Sequence, residues 1–361
     1  MMNPFFKAAH GHLRHQLLPV DLPLERAGSI KTIESLRQHL QTAIELEHST
    51  IPPYLCALYS IKDGSNTFAS KTIQSVVMEE MLHMILAANI LNAIGGAPAI
   101  DTPKFVPEYP TYLPHSDDAF LVPLEKFSQE TINVFLDIEH PARKGAPPQA
   151  DHYHTIGQFY AAIKHALRHL NYVTPGGIFT GAPNRQVMPQ HYYGGGGKLI
   201  VVTTLEDALL AINEIIGQGE GVDDTIFDGD HRLFGEEIEY AHYFKYMEIK
   251  EERRYLPTDS AKRPPTGPAV VVDWSAVHNM QANPKMIDYP KGSELWKKTY
   301  EFNRCYMQLL SQLHIACNGS PERLAQAIPV MYELKYKALA LMNIPIANGK
   351  VAGPSFEYVP L

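Results

Sequence analysis

Two Glu-x-x-His motifs are the part of this sequence with the clearest chemical potential. The first consists of Glu80 and His83, and the second of Glu239 and His242. Residues three apart lie about one turn apart on an α-helix, so each motif would present a carboxylate beside an imidazole. Inward pairs of this type, one on each of two helices, hold the ions of carboxylate-bridged dinuclear centres in four-helix bundles. If the two motifs meet in the fold, the sequence predicts a dinuclear metal site.

The first motif lies on the apolar stripe of a predicted long helix. This stripe combines Glu80 and His83 with aliphatic residues at three- and four-residue spacing: Ile73, Val76, Val77, Met84, Ala87, Ile90 and Ile94. A carboxylate on a buried face destabilises a fold by several kcal/mol unless it is paired or bound to metal. For one motif alone, a hydrogen-bonded Glu–His core pair is the favoured interpretation. Glu79 is predicted to lie on another face.

Glu47 also falls where an aliphatic residue would be expected. It continues the apolar stripe of a helix predicted to begin after an N-cap at Thr32, whereas Glu45 falls on the polar face. Pro52 and Pro53 follow one turn later and are expected to kink the helix or to cause a bulge beside Glu47. Irregular helical turns of this kind are frequent at functional sites.

Glu220 is the fourth inward glutamate. It extends the apolar stripe of a helix predicted from Thr204 to Gly219, with Thr204 as N-cap and Asp207 three residues later. Gly219 and Gly221 flank Glu220 and allow a backbone distortion that could aim its carboxylate inward. Its direction therefore depends on the geometry of a helix end.

Together these positions supply four carboxylates and two imidazoles. The predicted metal ligands are Glu47, Glu80, His83, Glu220, Glu239 and His242. This balance of oxygen and nitrogen donors suits two metal ions, with iron expected and manganese as the alternative. A dinuclear iron site with open positions binds and reduces dioxygen, so dioxygen is a predicted partner. A core network without metal is the alternative interpretation of the same residues.

Four helices must carry these residues, and the sequence predicts them at 32–58, 73–94, 204–219 and 231–251. A short turn joins the first two into an antiparallel hairpin, and a long proline-rich segment separates them from the others. A crossover of this kind is what a ferritin-like bundle requires between its hairpins. The predicted fold is mainly α: a ferritin-like four-helix bundle with a long crossover, small β-strand insertions and extra C-terminal helices.

The predicted organisation has three parts: an extended arm at 1–30, the bundle at 31–252 with an inserted crossover at 96–203, and a C-terminal part at 253–361. Short helices are expected at 124–140 and 151–170, and strand-like runs at 199–202 and 269–272. The C-terminal helices, at 293–316 and 321–342, carry no inward carboxylate. They are predicted to form a packing layer on the bundle or a homodimer surface.

Composition excludes several classes of protein. The 361 residues carry a formal net charge of -8, and the basic residues are scattered, so no nucleic-acid partner is expected. The three cysteines lack metal-ligand spacing and indicate free thiols in a reducing compartment. No signal peptide or membrane span is expected, so the protein is predicted to be soluble and cytoplasmic, without a membrane partner.

Several segments resemble the ferritin-like family named after iminophenyl-pyruvate dimer synthase. They are residues 43–55, Glu79-Glu80-Met81-Leu82-His83, residues 218–221, Glu239-Tyr240-Ala241-His242-Tyr243 and residues 352–358. The resemblance covers most of the chain from about residue 32 onward. The family includes the domain of the violacein-pathway enzyme that couples two imines of an aromatic 2-oxo acid. The resemblance therefore implies oxidative specialised metabolism.

Three functions remain open from the sequence. The first is a dinuclear non-haem metal oxidase or oxygenase that acts on a small aromatic or amino-acid-derived substrate, with imine dimerisation as one form. The second is an iron-binding or ferroxidase-type protein without an organic substrate. The third is a non-catalytic ferritin-like bundle. An apolar pocket beside the metals would favour the first, and a sealed core would favour the second.

Overall fold

The computed structural model describes residues 30–361 except 119, 120, 193, 223 and 236. The predicted N-terminal arm, apart from Ile30, lies outside the described residues. Nine α-helices occur in the described part of the chain: α1 (Ile33–Ser60), α2 (Thr67–Ala93), α3 (Gln129–Ile138), α4 (Ile156–Val173), α5 (Leu205–Glu220), α6 (Asp230–Leu233), α7 (His242–Lys250), α8 (Glu294–Ala316) and α9 (Leu324–Met342).

The first two helices form the predicted hairpin. α1 begins after Thr32, whose hydroxyl accepts a hydrogen bond from the Ser35 N–H at 3.1 Å, as predicted. Pro52 and Pro53 lie inside a helix that continues to Ser60. Pro53 cannot donate to the Ser49 carbonyl, and the Tyr109 hydroxyl donates to that carbonyl instead, at 2.8 Å. A crossover residue thus replaces a hydrogen bond that proline removes.

The other helices surround this hairpin. α5 packs against α2 and α4, and α7 contacts α2, α3 and α5. Both crossover helices, α3 and α4, also contact α1. α8 and α9 pack along each other, and α9 contacts α1. The C-terminal pair therefore packs on the bundle, while its use as a homodimer surface stays a prediction.

The prediction of one continuous fourth helix over 231–251 is wrong. The structure has two short helices in this region, α6 and α7, with non-helical residues between them. Gly235 adopts a φ of 73°, which a right-handed helix does not contain. Near the start of α7, the Ala241 N–H donates to the Ile226 carbonyl at 3.0 Å. These backbone groups therefore bond a neighbouring loop instead of a helical turn.

This break changes the second Glu-x-x-His motif. His242 is the first residue of α7, and Glu239 precedes the helix in an extended segment. Tyr240, between them, forms an antiparallel bridge with Phe227. The two motif residues consequently do not lie on one helix face, although their spacing matches that of the first motif.

The short strands predicted at 199–202 and 269–272 are not formed. In the described ranges the extended segments make only isolated β-bridges. In the first segment, side chains take the place of a neighbouring strand. The Gln186 amide donates to the Val202 carbonyl at 2.6 Å and accepts from the Val202 N–H at 2.8 Å. An apolar run of this kind predicts burial, but its backbone partners depend on the tertiary structure.

Asn89 holds the crossover against α2 in the same way. Its fully buried side chain donates to the Val187 carbonyl at 2.9 Å and to the Ile200 carbonyl at 3.0 Å. It also accepts from the Val187 N–H at 3.0 Å. Three hydrogen bonds therefore connect one side chain of α2 to two separate crossover segments.

The composition of α2 follows from its central position. This helix is long and apolar enough to cross a bilayer, but 89% of its most apolar window is buried inside the protein. Such burial is the pattern of a core helix in a globular bundle. Its apolar residues are covered by the other helices.

We expect Asn89→Leu to lower the free energy of unfolding by about 3 kcal/mol or more, because three buried backbone groups would lose their partner. The measurement is urea denaturation followed by circular dichroism. Asn213→Ala is the control, since Asn213 is exposed and its side chain accepts a hydrogen bond from Lys164, at 2.7 Å. The control should stay within about 0.5 kcal/mol of the wild type. Equal midpoints for the two variants would contradict the bridging role of Asn89.

Candidate metal centre

Glu47, Glu80 and His83 form a buried group of metal-ligating side chains. One ligand atom from each lies within 4.8 Å of the others. His83 Nδ1 is 3.5 Å from Glu47 Oε2 and 3.8 Å from Glu80 Oε1. α1 supplies Glu47 and α2 supplies the other two, because the apolar stripes of the hairpin face each other.

Glu80, Glu139 and His242 form a second buried group with the same spacing limit of 4.8 Å. His242 Nδ1 is 3.0 Å from Glu80 Oε1 and 3.3 Å from Glu139 Oε2. Glu80 belongs to both groups, which is the position of a bridging carboxylate in a dinuclear centre. The rings of His83 and His242 are stacked, with centroids 5.5 Å apart. The two groups are thus two halves of one site.

Both imidazoles are held through Nε2. His83 Nε2 is 2.8 Å from the amide oxygen of Gln218, whose amide nitrogen donates to the Gly196 carbonyl at 2.9 Å. His242 Nε2 is 2.6 Å from Glu79 Oε2. Because both partners present acceptor oxygens, each neutral ring carries its proton on Nε2 and directs the Nδ1 lone pair into the site. Partners of this type orient metal-ligating histidines.

The carboxylates are held by a similar arrangement. One oxygen of each accepts a hydrogen bond from a buried hydroxyl group, while the other oxygen faces the histidines. The donor and acceptor pairs are Thr50 with Glu80 Oε2 at 2.9 Å, Tyr54 with Glu139 Oε1 at 2.5 Å, and Tyr160 with Glu47 Oε1. Five inward atoms, two nitrogens and three oxygens, therefore converge.

The convergence of these atoms shifts the pKa values of Glu80, His83 and His242. Burial raises the pKa of Glu80 to about 8, and the carboxylates of Glu139 and Glu47 contribute to the rise. Burial lowers the pKa of His83 and His242, but the neighbouring glutamates outweigh burial and raise both values. In the absence of another cation, protons would be needed to balance the buried negative charge.

The inward atoms fit metal ions. His242 Nδ1 is buried, and its contacts with two carboxylate oxygens, at 3.0 and 3.3 Å, lack the geometry of a directed hydrogen bond. A cation between these groups would accept the nitrogen lone pair and offset the repulsion of the carboxylates. The two groups of buried carboxylate and histidine side chains could therefore bind metal.

Glu79 lies on another face of α2 from Glu80, as predicted, but it contributes to the site indirectly. Its carboxylate contacts His242 Nε2 and the Lys245 ammonium, which is 2.6 Å away. Burial raises the pKa of Glu79, but Lys245 and His242 outweigh burial and bring the pKa to about 2. Lys245 also contacts the half-exposed Glu239 carboxylate at 2.9 Å.

Four of the six sequence-predicted ligands come together: Glu47, Glu80, His83 and His242. The other two lie outside both groups. Glu220 accepts a hydrogen bond from the Gly157 N–H at 2.8 Å, in the first turn of α4. Glu239 is engaged by Lys245. The metal-binding role of the whole set stays a prediction.

Sequence reasoning missed Glu139. This residue is the C-cap of α3, a short crossover helix of ten residues. It has no Glu-x-x-His partner, and its helix ends where a stripe would have to continue. The sequence signal for Glu139 is an acidic residue at the end of an amphipathic helix, and its direction depends on the packing of α3 against α7.

Comparisons with known proteins agree with this fold. A family model described as ferritin-like matches residues 40–251. The dichlorochromopyrrolate synthase of Lentzea aerocolonigenes is 27% identical over 408 aligned residues, which cover 96% of this chain but 38% of that protein. A crystal structure of a ferritin-like protein from Caulobacter vibrioides matches with a TM-score of 0.57 and 24% identity, over 93% of this chain and 100% of that chain. The predicted fold class is confirmed.

Replacement of Glu139 tests the ligand set. We expect wild-type protein loaded anaerobically with Fe(II) to retain about two ions per chain, and Glu139→Gln to lose at least about half of them. Iron is measured by plasma mass spectrometry after gel filtration. Glu220→Gln is the matched control and should keep the wild-type content. Loss of iron from the control but not from Glu139→Gln would favour the set predicted from sequence.

Proposed function

The chain belongs to the ferritin-like family, and we propose that it is a dinuclear non-haem metal oxidoreductase of specialised metabolism. The observation that carries this proposal is the pair of buried ligand groups that share Glu80. Glu47 and His83 would bind one ion. Glu139 and His242 would bind the second ion, and Glu80 would bridge the two. Dioxygen and a small aromatic or amino-acid-derived molecule are the proposed substrates.

The donor set supports iron, with manganese as the alternative. Three carboxylates and two imidazoles provide oxygen donors that stabilise the higher oxidation states and one nitrogen donor for each ion. When bound, iron in such a site supplies the binding and reduction of dioxygen. The five protein ligands leave coordination positions for other molecules, since each ion would receive one histidine and two carboxylates.

The surrounding side chains keep the ligands in place. The hydroxyls of Thr50, Tyr54 and Tyr160 each hold the outer oxygen of one carboxylate. Gln218 and Glu79 hold the outer nitrogen of the two histidines. Burial of this whole set excludes bulk water and strengthens these interactions. The ligands would therefore need little rearrangement to bind metal.

Two observations support the substrate class. One is the similarity to a protein whose name describes the synthesis of dichlorochromopyrrolate, although this chain spans only 38% of its length. The other is an aromatic cluster beside the Glu139 carboxylate. Tyr54 lies 4.5 Å from Phe135 and 5.5 Å from Tyr246, measured between ring centroids. All three rings are buried and packed against one another, so this apolar side could receive an aromatic molecule only after the segments that cover the centre move.

Imine dimerisation, the reaction implied by the resemblance to iminophenyl-pyruvate dimer synthase, is the proposed form of the reaction. Coupling of two imines forms one carbon–carbon bond and removes two electrons and two protons. One molecule of dioxygen accepts both electrons and both protons and becomes hydrogen peroxide. The reaction is balanced without a further reductant.

Iron handling is the second candidate, and the burial of the site favours it. Each of the five ligand residues is at most 4% exposed. A sealed centre suits oxidation of iron alone, because no organic molecule has to enter. An organic substrate would require movement of the segments that cover the ligands. The two functions differ in whether dioxygen consumption depends on the organic molecule.

The test uses the full chain loaded with Fe(II) without oxygen. Dioxygen is then admitted with or without an aromatic 2-oxo acid and ammonium, a mixture that contains the imine. We expect a product with the mass of two imines minus two hydrogen atoms, one dioxygen consumed per product, and a matching yield of hydrogen peroxide. Glu80→Gln should lower the rate at least about tenfold, whereas Glu220→Gln should not.

The same experiment separates the alternatives. Iron oxidation that proceeds equally with and without the imine, and without coupled product, would favour iron handling. A wild-type protein that retains no iron would contradict both functions and favour a non-catalytic bundle. Imine coupling by the iron-free protein would contradict the role of the metal centre.

A further inference from the structure

A second group of potential ligands lies elsewhere on α1. It consists of His39 on α1 with His115 and Asp151 from the crossover, and one ligand atom from each lies within 4.8 Å of the others. We propose that these residues bind a single divalent transition-metal ion, best suited to zinc. His39 precedes Glu47 by eight residues, which corresponds to about 12 Å along the helix. The site is therefore separate from the dinuclear centre.

His39 provides the strongest evidence. Its Nδ1 is 2.7 Å from the Ser35 carbonyl, and a carbonyl can only accept, so Nδ1 carries the proton. The Nε2 of the neutral ring therefore has a free lone pair. That nitrogen is buried without a hydrogen-bond partner, and His39 is only 7% exposed.

The neighbour of this nitrogen is also an acceptor. His39 Nε2 lies 3.6 Å from Asp151 Oδ1, which is too far for a hydrogen bond even if the ring were protonated. A lone pair and a carboxylate oxygen thus face each other. A buried acceptor without a donor is destabilising, and a cation between the two atoms would give His39 Nε2 the partner that it lacks.

The remaining ligands are fixed by the crossover backbone. His115 Nδ1 donates to the same oxygen, Asp151 Oδ1, at 3.0 Å, and a bound ion would replace the proton between these two atoms. The His152 N–H donates to the His115 carbonyl at 2.8 Å, and Ser116 forms a parallel bridge with Tyr153. The two crossover segments are therefore joined next to the site. The side chains of His115 and Asp151 are 47% and 41% exposed, so an ion can enter from solvent.

The ligand types indicate the class of metal. Two imidazoles and one carboxylate suit zinc or a similar borderline ion, whereas magnesium and calcium prefer sites made of oxygen alone. Three protein ligands leave the fourth tetrahedral position for water. The partial exposure of the site allows that water molecule.

A bound ion would connect the crossover to α1 near the dinuclear centre. The His39 ring packs against Phe159, with centroids 6.3 Å apart. The next residue, Tyr160, donates to Glu47. The proposed ion therefore holds the part of the crossover that carries one of the hydroxyl donors. We expect binding to stabilise the folded chain, because the unfolded chain does not assemble the three ligands.

The experiment adds zinc chloride to the full chain after the dinuclear centre has been loaded with iron. Zinc and iron are measured together by plasma mass spectrometry after gel filtration. We expect about one zinc per chain with no loss of iron. His115→Ala and Asp151→Asn should weaken zinc binding about 100-fold or more while retaining iron. His154→Ala, which removes an exposed histidine of the same crossover segment, should bind zinc like the wild type.

Thermal unfolding gives a second measurement. Zinc should raise the midpoint of the wild type and of His154→Ala, but not that of His115→Ala. Circular dichroism verifies that each variant is folded. Zinc uptake that matches the loss of iron, or equal uptake by His115→Ala and the wild type, would overturn the proposal. Absence of zinc binding by the wild type would do the same.

Discussion

The structure depends on the burial of three carboxylates and two imidazoles at one point among the helices. Such a group is unstable unless its negative charge is balanced and its polar atoms have partners. Every outer atom has a protein donor or acceptor, so the imbalance remains at the inner atoms. Two divalent ions would bring four positive charges against three negative ones. Without ions, protons must take that role, and burial together with the carboxylates of Glu139 and Glu47 raises the pKa of Glu80 to about 8.

This requirement explains the long crossover. The α1–α2 hairpin supplies three ligands, but a complete site also needs Glu139 and the Tyr160 hydroxyl, and both come from the crossover. The irregular segments between them are held by buried side chains such as Asn89 and Gln186. The crossover is thus part of the site's construction and not only a connection between helices. Because these segments do not pair as strands of a sheet, buried side chains form the hydrogen bonds with their backbone groups.

The sequence predicted the inward position of the hairpin residues. Glu47, Glu80 and His83 lie on continuous helices, where the helical periodicity alone determines which way a side chain points. Thr32 and Thr204 were recognised as N-caps for the same reason, since capping is local.

Prediction failed at residues whose side-chain direction depends on contacts between segments that are distant in the sequence. The stripe of α5 pointed to Glu220, but this residue ends the helix and instead accepts from the first turn of α4. Glu139 stands one position beyond α3, where periodicity no longer applies. The break before α7 depends on pairing with residues 226–228, which no local pattern in 239–242 reveals.

In the second Glu-x-x-His motif, the two residues have different positions relative to the centre. Its histidine enters the centre, and the inward oxygen that its glutamate was expected to supply comes from Glu139. Glu239 instead contacts Lys245, Lys245 contacts Glu79, and Glu79 holds the outer nitrogen of His242. The motif glutamate therefore acts on the same histidine from the outside. Because Lys245 stands between two carboxylates, it offsets the charge of Glu79 and allows this buried group to remain ionised. The orientation of His242 thus depends on a chain of charges that begins at the half-exposed Glu239 and ends inside the centre.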